Sequence, residues 1–190
     1  MLTHMIKTAT RERIEQAAAE AFARLGIDGA TTRDIAAGAR LSEGALYRHF
    51  PSKDAIAAAL FERIHARLAA LIAATDGQPL HAAALAIVEG YCEAADEDWT
   101  LFRFHLLNAH RFMPNASANP VAALERRLAD AMSAGEIPPA EPALLAGMAM
   151  GPVHQTALQI AYGRLQGPLS RWRTALAGAV IGILSVKELS

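Results

Sequence analysis

A single cysteine, Cys92, leaves no internal disulfide to staple the fold, and a reducing interior is the expected setting. Aromatic residues are few (6%) and the net charge is only −1, which excludes a uniformly basic nucleic-acid coat and a long acidic tail. Long apolar runs are missing too. The uncharged stretch from Thr174 to Val186 falls short of the ~20 residues that a membrane-spanning helix needs. At the other end, Lys7, Arg11, Glu12 and Arg13 prevent an apolar signal core. β-Branched residues are sparse and period-two alternation is rare, so a sheet has little to build on. These absences lead to the expectation of a cytoplasmic protein with no membrane partner.

What is present favours helices. The chain has 190 residues, 53% of them hydrophobic and 19% charged, with alanine abundant. The fold class expected is all-α. A first helix is predicted over Thr10 to Leu25, with Ile14, Ala17, Ala18, Ala21, Phe22 and Leu25 forming one apolar stripe and Gly26 closing it. Thr31 or Thr32 then caps a short helix that carries an acidic residue, Asp34, in its first turn. Ser42 caps a third helix running from Glu43 to about His49, which stops before Pro51. Ser52 caps a fourth, whose apolar stripe Ile56, Leu60, Ile64, Leu68 continues to near Thr75. Further helices are expected over about Leu80–Ala95, from Asp98 onward, over Val121–Ala134, Pro142–Tyr162 and Ser170–Glu188, with a loop over 114–120.

Three helices in so short a stretch, two of them very short and joined by a tight turn, make a helix-turn-helix pattern. The domain boundary is placed at Pro51-Ser52, giving a DNA-binding unit over 1–52 and a larger helical unit over 53–190 for sensing and dimerisation. Residues 1–53 hold eight basic and six acidic side chains, a balance of +2, whereas the rest holds ten basic and thirteen acidic ones, a balance of −3. The asymmetry is small, and placement of the charges has to decide its use.

The stretch from Thr32-Arg33-Asp34-Ile35-Ala36-Ala37-Gly38-Ala39-Arg40-Leu41 through Ser42-Glu43-Gly44-Ala45-Leu46-Tyr47-Arg48-His49-Phe50-Pro51-Ser52-Lys53-Asp54 resembles the signature of the tetracycline-repressor (TetR) family. Apolar, glycine, aromatic and basic positions agree in register over roughly residues 10–60, whereas the remainder is similar only in length and helical layout. The resemblance implies a homodimeric repressor that releases operator DNA on binding a small-molecule effector. It also implies that Tyr47, His49 and Lys53 contact phosphates. The third helix enters the major groove by its N-terminal end, where Ser42, Glu43, Gly44 and Ala45 are available. Gly44 and Ala45 are small enough for close backbone approach, and Leu46 and Phe50 point back to a core with Ile35 and Phe22. Thr32 forms a further phosphate seat, and Arg33 and Arg48 add positive charge.

Two positions depart from the family pattern. Arg40 stands in the turn where the family has glycine, so a non-glycine residue must take a left-handed backbone at ~1 kcal/mol. Glu43 places a carboxylate at the groove-facing end, where it repels phosphate, suits the helix dipole and can accept from a cytosine amino group.

In the final helix, Leu169, Trp172, Leu176, Ala179, Ile183 and Val186 recur in steps of 3, 4, 3, 4 and 3, a packing seam, while Ala175, Gly178 and Gly182 form a second, small-residue face. Two apolar faces on one helix call for two partners. With Gly147, Gly151 and Leu158 of the preceding helix, these residues are expected to form a dimer interface. An effector site is expected around Trp99, Phe102, Arg103, His105, Leu106, His110 and Phe112, with His154 and Gln155 near Pro152, which interrupts its helix. The fourth helix is the continuous element expected to reach both functions.

Enzyme readings find no support. A di-iron bundle needs two Glu-x-x-His motifs, and only Glu62-Arg63-Ile64-His65 occurs. Cys92 has no histidine at a telling spacing, and neither a phosphate loop nor a nucleophile elbow is present. No spacing among His81, His105, His110 and His154 predicts a metal site, and no cofactor is implied. The competing readings are an activator of the same architecture and a helical small-molecule carrier whose helix-turn-helix is vestigial or binds protein. A basic surface from Lys7, Arg11, Arg33, Arg48 and Lys53 favours the regulator, and a neutral one the carrier.

Overall fold

A computed structural model describes residues 2–113 and 119–186, with side chains from Thr8 onward. The loop expected over 114–120 therefore falls largely outside the described residues, as do the side chain of Lys7 and the end of the last helix at Glu188. Among the described residues there are helices and no strand. They are α1 (Leu2–Gly29), α2 (Thr32–Gly38), α3 (Glu43–Tyr47), α4 (Lys53–Ala73), α5 (Leu80–Glu97), α6 (Trp99–Phe112), α7 (Pro120–Ser133), α8 (Pro142–Ala161) and α9 (Arg173–Leu184), with a 3₁₀ turn at Leu169–Trp172 before α9.

Local chemistry sets the N-terminal elements. Gly26, at φ 72°, breaks α1 where a residue with a side chain would be strained. Thr31 caps α2 through a reciprocal box, its Oγ1 accepting from Asp34 N while Asp34 Oδ2 accepts from Thr31 N at 3.0 Å. The Thr31 hydroxyl, donating to Asp34 Oδ2 at 2.6 Å, and then the Thr31 amide hold the Asp34 carboxyl below its ordinary pKa. Ser42 and Ser52 cap α3 and α4 by accepting from Ala45 N and Ala55 N. Ile14, Ala17, Ala18, Ala21 and Phe22 are buried as the stripe requires, whereas Leu25, its last member, is 43% exposed and Ile27, past the break at Gly26, is buried instead. Leu46, Phe50 and Ile35 complete the small core.

α4 is the spine of the molecule. It packs against α1 and against α5, α6 and α7 of the body, so one continuous core joins the helix-turn-helix to the rest. α8 lies against α7 and α9, and α5 against α9. α5 crosses close to α4 at Gly90, where a Cβ would stand 2.1 Å from Leu71 Cδ1. Carboxylates from distant segments cap two helix starts: Glu136 accepts from Leu80 N at 2.5 Å and Asp96 from Leu169 N at 2.8 Å.

The last helix corrects the expected seam. Its inward stripe is Leu169, Leu176, Val180 and Leu184, because the side of α9 that is buried is the one packed against α5 and α8. Leu176 thus belongs to the chain's own core, Ala179 and Val186 face outward, and Trp172 and Ile183 are half-buried. Pro152 sits inside an unbroken α8 instead of interrupting it.

Candidate DNA-binding surface and effector cavity

None of the residues expected to meet DNA is buried: Thr32, Arg33, Arg40, Ser42, Glu43, Gly44, Ala45, Tyr47, Arg48, His49 and Lys53 are all exposed or half-exposed. Gly44 is open, with nothing within 4 Å of a built Cβ, so the start of α3 presents bare backbone. Arg40 takes φ 55°, the left-handed conformation that its place in the turn demands, and Arg40 N still bonds Ala37 O at 3.0 Å.

Three side chains are more constrained than the sequence suggests. Glu43 does not project freely toward a groove: Thr32 Oγ1 donates to its Oε2 at 3.0 Å and Arg33 Nε lies 3.4 Å from its Oε1. Its charge is matched within the motif, and its carboxylate ties the start of α3 to the start of α2. Tyr47 joins the same cluster, its hydroxyl 3.3 Å from Thr32 Oγ1, while the ring is 49% exposed. Lys53 Nζ donates to the carbonyls of Asp28 and Ala30, both at 2.9 Å, and so also closes the turn after α1. Arg11 stacks over Phe50 at 4.3 Å and pairs with Glu15, and Arg33 is partly engaged by Glu43. Arg40 and Arg48 are exposed and form no ion pair among the described residues.

In the body, an apolar cavity of about 360 Å³ opens between α4, α5, α6, α7 and α8. Ile72, Leu106, Leu124, Met150 and Leu158 supply apolar wall, and His65, Tyr91, His105 and His154 supply polar groups. A wider groove of about 570 Å³ beside His81, Glu136, Ile137, Ile181 and Ser185 is more open to solvent, so the more sheltered, more apolar cavity is the better binding candidate. Within it, His65 Nδ1 and His105 Nε2 are 2.9 Å apart and hydrogen-bonded, and Phe61 packs on both rings at 4.8 and 4.7 Å. Burial lowers the basicity of all three histidines. His105 goes down to about 3, with the neighbouring His65 and His154 adding to the effect. Burial also pushes the Tyr91 hydroxyl up, and the Cys92 thiol up to about 11, leaving it inert.

Of the expected effector residues, His105, Leu106 and His154 line the cavity. Trp99, Phe102 and Phe112 instead join the aromatic core, in which Phe61 and Phe112 stand 5.4 Å apart and Trp99 stacks on Phe102 at 6.1 Å. His110 and Gln155 face solvent, and Arg103 is half-buried away from the cavity wall. Gly147 and Leu158, expected at a dimer interface, line the cavity. Sequence reasoning does not place His65 and Tyr91 there. The signal for His65 is its position on the apolar face of α4, one turn after Phe61 and before Leu68, where an imidazole is out of character.

α4 is not the only element that reaches both regions. α6 carries His105 and Leu106 at the cavity and, at its end, Arg111, which pairs with Asp28 at 3.0 Å and Asp54 at 2.9 Å. Asp28 also lends its carbonyl to Lys53.

A capped, glycine-fronted short helix standing on a three-helix core, backed by a helical body, defines a helix-turn-helix DNA-binding protein. Residues 14–60 match the family model for bacterial regulatory proteins of the tetR family. The fold is shared with the fatty acid degradation regulator FadR of Bacillus halodurans (15% identity, 90% of this chain and 93% of that one, TM-score 0.77). It is likewise shared with a tetR-family regulatory protein of Rhodococcus RHA1 (18%, 94% and 98%, 0.74). A third match is FadR of Bacillus subtilis, solved in complex with stearoyl-CoA (16%, 90% and 97%, 0.72). The family match covers the helix-turn-helix and its flanking helices, residues 14–60, and over the rest of the chain the likeness to these structures is one of fold. No helix among the described residues is long and apolar enough to cross a membrane.

Proposed function

We propose that the protein is a homodimeric repressor that binds operator DNA through α3 and is released by a small, mostly apolar effector held in the cavity between α4 and α8. The observation that carries this reading is the cavity itself: it is sheltered, apolar with a few convergent polar groups, and walled by the two helices, α4 and α6, that also touch the helix-turn-helix. The FadR of Bacillus subtilis, solved with stearoyl-CoA, supports an effector with a long apolar portion. Two subunits are supported by the outward faces of α8 and α9. Gly151, Gly178 and Gly182 have open space where a Cβ would stand, and Leu144 and Met148 are exposed on α8. An enzyme or a membrane partner has no part in this reading.

Release follows from linkage. An effector that lowers operator affinity a hundredfold must favour the released conformation by ~2.7 kcal/mol, and operator DNA must weaken effector binding by the same factor. The decisive experiment is selection from random duplex DNA by the full-length protein, with and without a cellular small-molecule extract. Enrichment of a two-fold symmetric site, abolished by the extract, is expected. Failure to enrich any sequence at moderate salt would refute the reading.

A further inference from the structure

The cavity holds three histidines and, among its lining residues, no lysine, arginine, aspartate or glutamate. His65 comes from α4, His105 from α6 and His154 from α8, so three separate helices bring imidazoles to one apolar space. His65 is 2% exposed, and its Nε2 is buried without a hydrogen-bond partner. An unpartnered ring nitrogen costs free energy in the empty protein, and a polar group supplied by a ligand would recover it.

We propose that the His65–His105 pair reads the polar group of the effector and that this group is uncharged. The inference rests on the cavity being the effector site. The bond between His65 Nδ1 and His105 Nε2 can run in either direction. When His65 donates through Nδ1, its Nε2 is a lone pair that accepts a ligand hydroxyl. When His105 donates instead, His65 Nε2 carries the proton and donates to a ligand carbonyl. Switching between the two moves the shared proton across the bond while His105 Nδ1 releases one proton and His65 Nε2 takes one up, so the net charge of the pair stays at zero. The pair therefore serves an alcohol or an ester or thioester carbonyl equally.

An ionised head finds nothing to match it. A carboxylate entering this end would have to be protonated or would have to charge a ring, and burial opposes an imidazolium at His105, with His65 and His154 beside it. Glu62 favours charge on His65, but by less than burial opposes it. A quaternary ammonium would be buried without a counter-ion. No group of three or more histidine, cysteine or acidic side chains among the described residues is placed to hold a metal, so the imidazoles are not engaged in that way.

The test uses four probes with one tail: 1-decanol, methyl decanoate, decanoate and decyltrimethylammonium, titrated into the full-length protein by calorimetry at pH 7.5 in two buffers of different ionisation enthalpy. The alcohol and ester should bind at least about tenfold more tightly than either ion, without proton exchange, and bound decanoate should take up about one proton. His65→Leu should bring the alcohol and decanoate affinities together; the wild-type series stands by itself if that variant does not fold. Tightest binding by decanoate without proton uptake, or by the ammonium, would overturn the uncharged-head inference and leave the cavity as the effector site. Unchanged alcohol preference in folded His65→Leu would overturn the role of the pair. Binding by none of the four would overturn the cavity as the effector site, and this inference with it.

Discussion

Mild acid should destabilise this protein through its cavity histidines. Burial holds His65, His105 and His154 below their ordinary pKa of 6.5, and His105 down at about 3. A group whose folded pKa is depressed is protonated in the unfolded chain first, so stability is full above 6.5 and falls as the pH drops toward the folded value. For His105 alone, going from pH 7 to pH 5 favours the unfolded state by ~2 kcal/mol, with His65 and His154 acting in the same direction. Glu62 offsets part of the His65 contribution. The Asp34 carboxyl, which also titrates below its ordinary value, enters only at lower pH because its reference is 3.8. Urea unfolding at pH 7 and pH 5, at one protein concentration, measures the difference. The double variant His65→Leu/His105→Phe, which removes both partners of the buried pair together, should lose at least ~2 kcal/mol less between the two pH values than the parent. Equal losses in parent and variant would refute the placement of these imidazoles in a dry cavity.

Tyr47→Phe and Arg48→Ala should weaken binding to every duplex about equally, and Arg48→Ala, which removes a cation, should also reduce the salt slope by ~0.9, as measured by anisotropy from low to moderate salt. Lys53→Ala is a poorer probe, because it also frees the carbonyls of Asp28 and Ala30 and should lower stability in urea. Gly178→Arg or Gly182→Arg should convert a dimer to monomers in sedimentation, since the small-residue face has no room for a buried, unpaired charge once a second helix covers it. Arg40→Gly relieves a left-handed backbone at φ 55° and should raise stability by ~1 kcal/mol in urea unfolding.

The helix-turn-helix was legible because its determinants are local. Caps at Thr31, Ser42 and Ser52, the break at Gly26 and the strain at Arg40 each depend on residues within a turn or two, and each stands where the sequence places it. The helices of the body follow from apolar periodicity for the same reason, and their expected ends differ from those observed by a residue or two in most cases. Which faces meet was not legible. The small-residue face of α9 was readable as a pattern, but its inward stripe was not, because contacts with α5 and α8 choose which side of an all-round apolar helix is buried. The aromatic run from Trp99 to Phe112 gave no sign that it fills core beside the cavity instead of lining it. Tertiary structure alone brought His65 of α4 within 2.9 Å of His105, forty residues away, and set His154 of α8 in the same apolar space. Sequence determines how each helix distributes its side chains around its own axis. The crossing of five helices decides which of those side chains share a space, because that depends on packing among segments far apart in the chain.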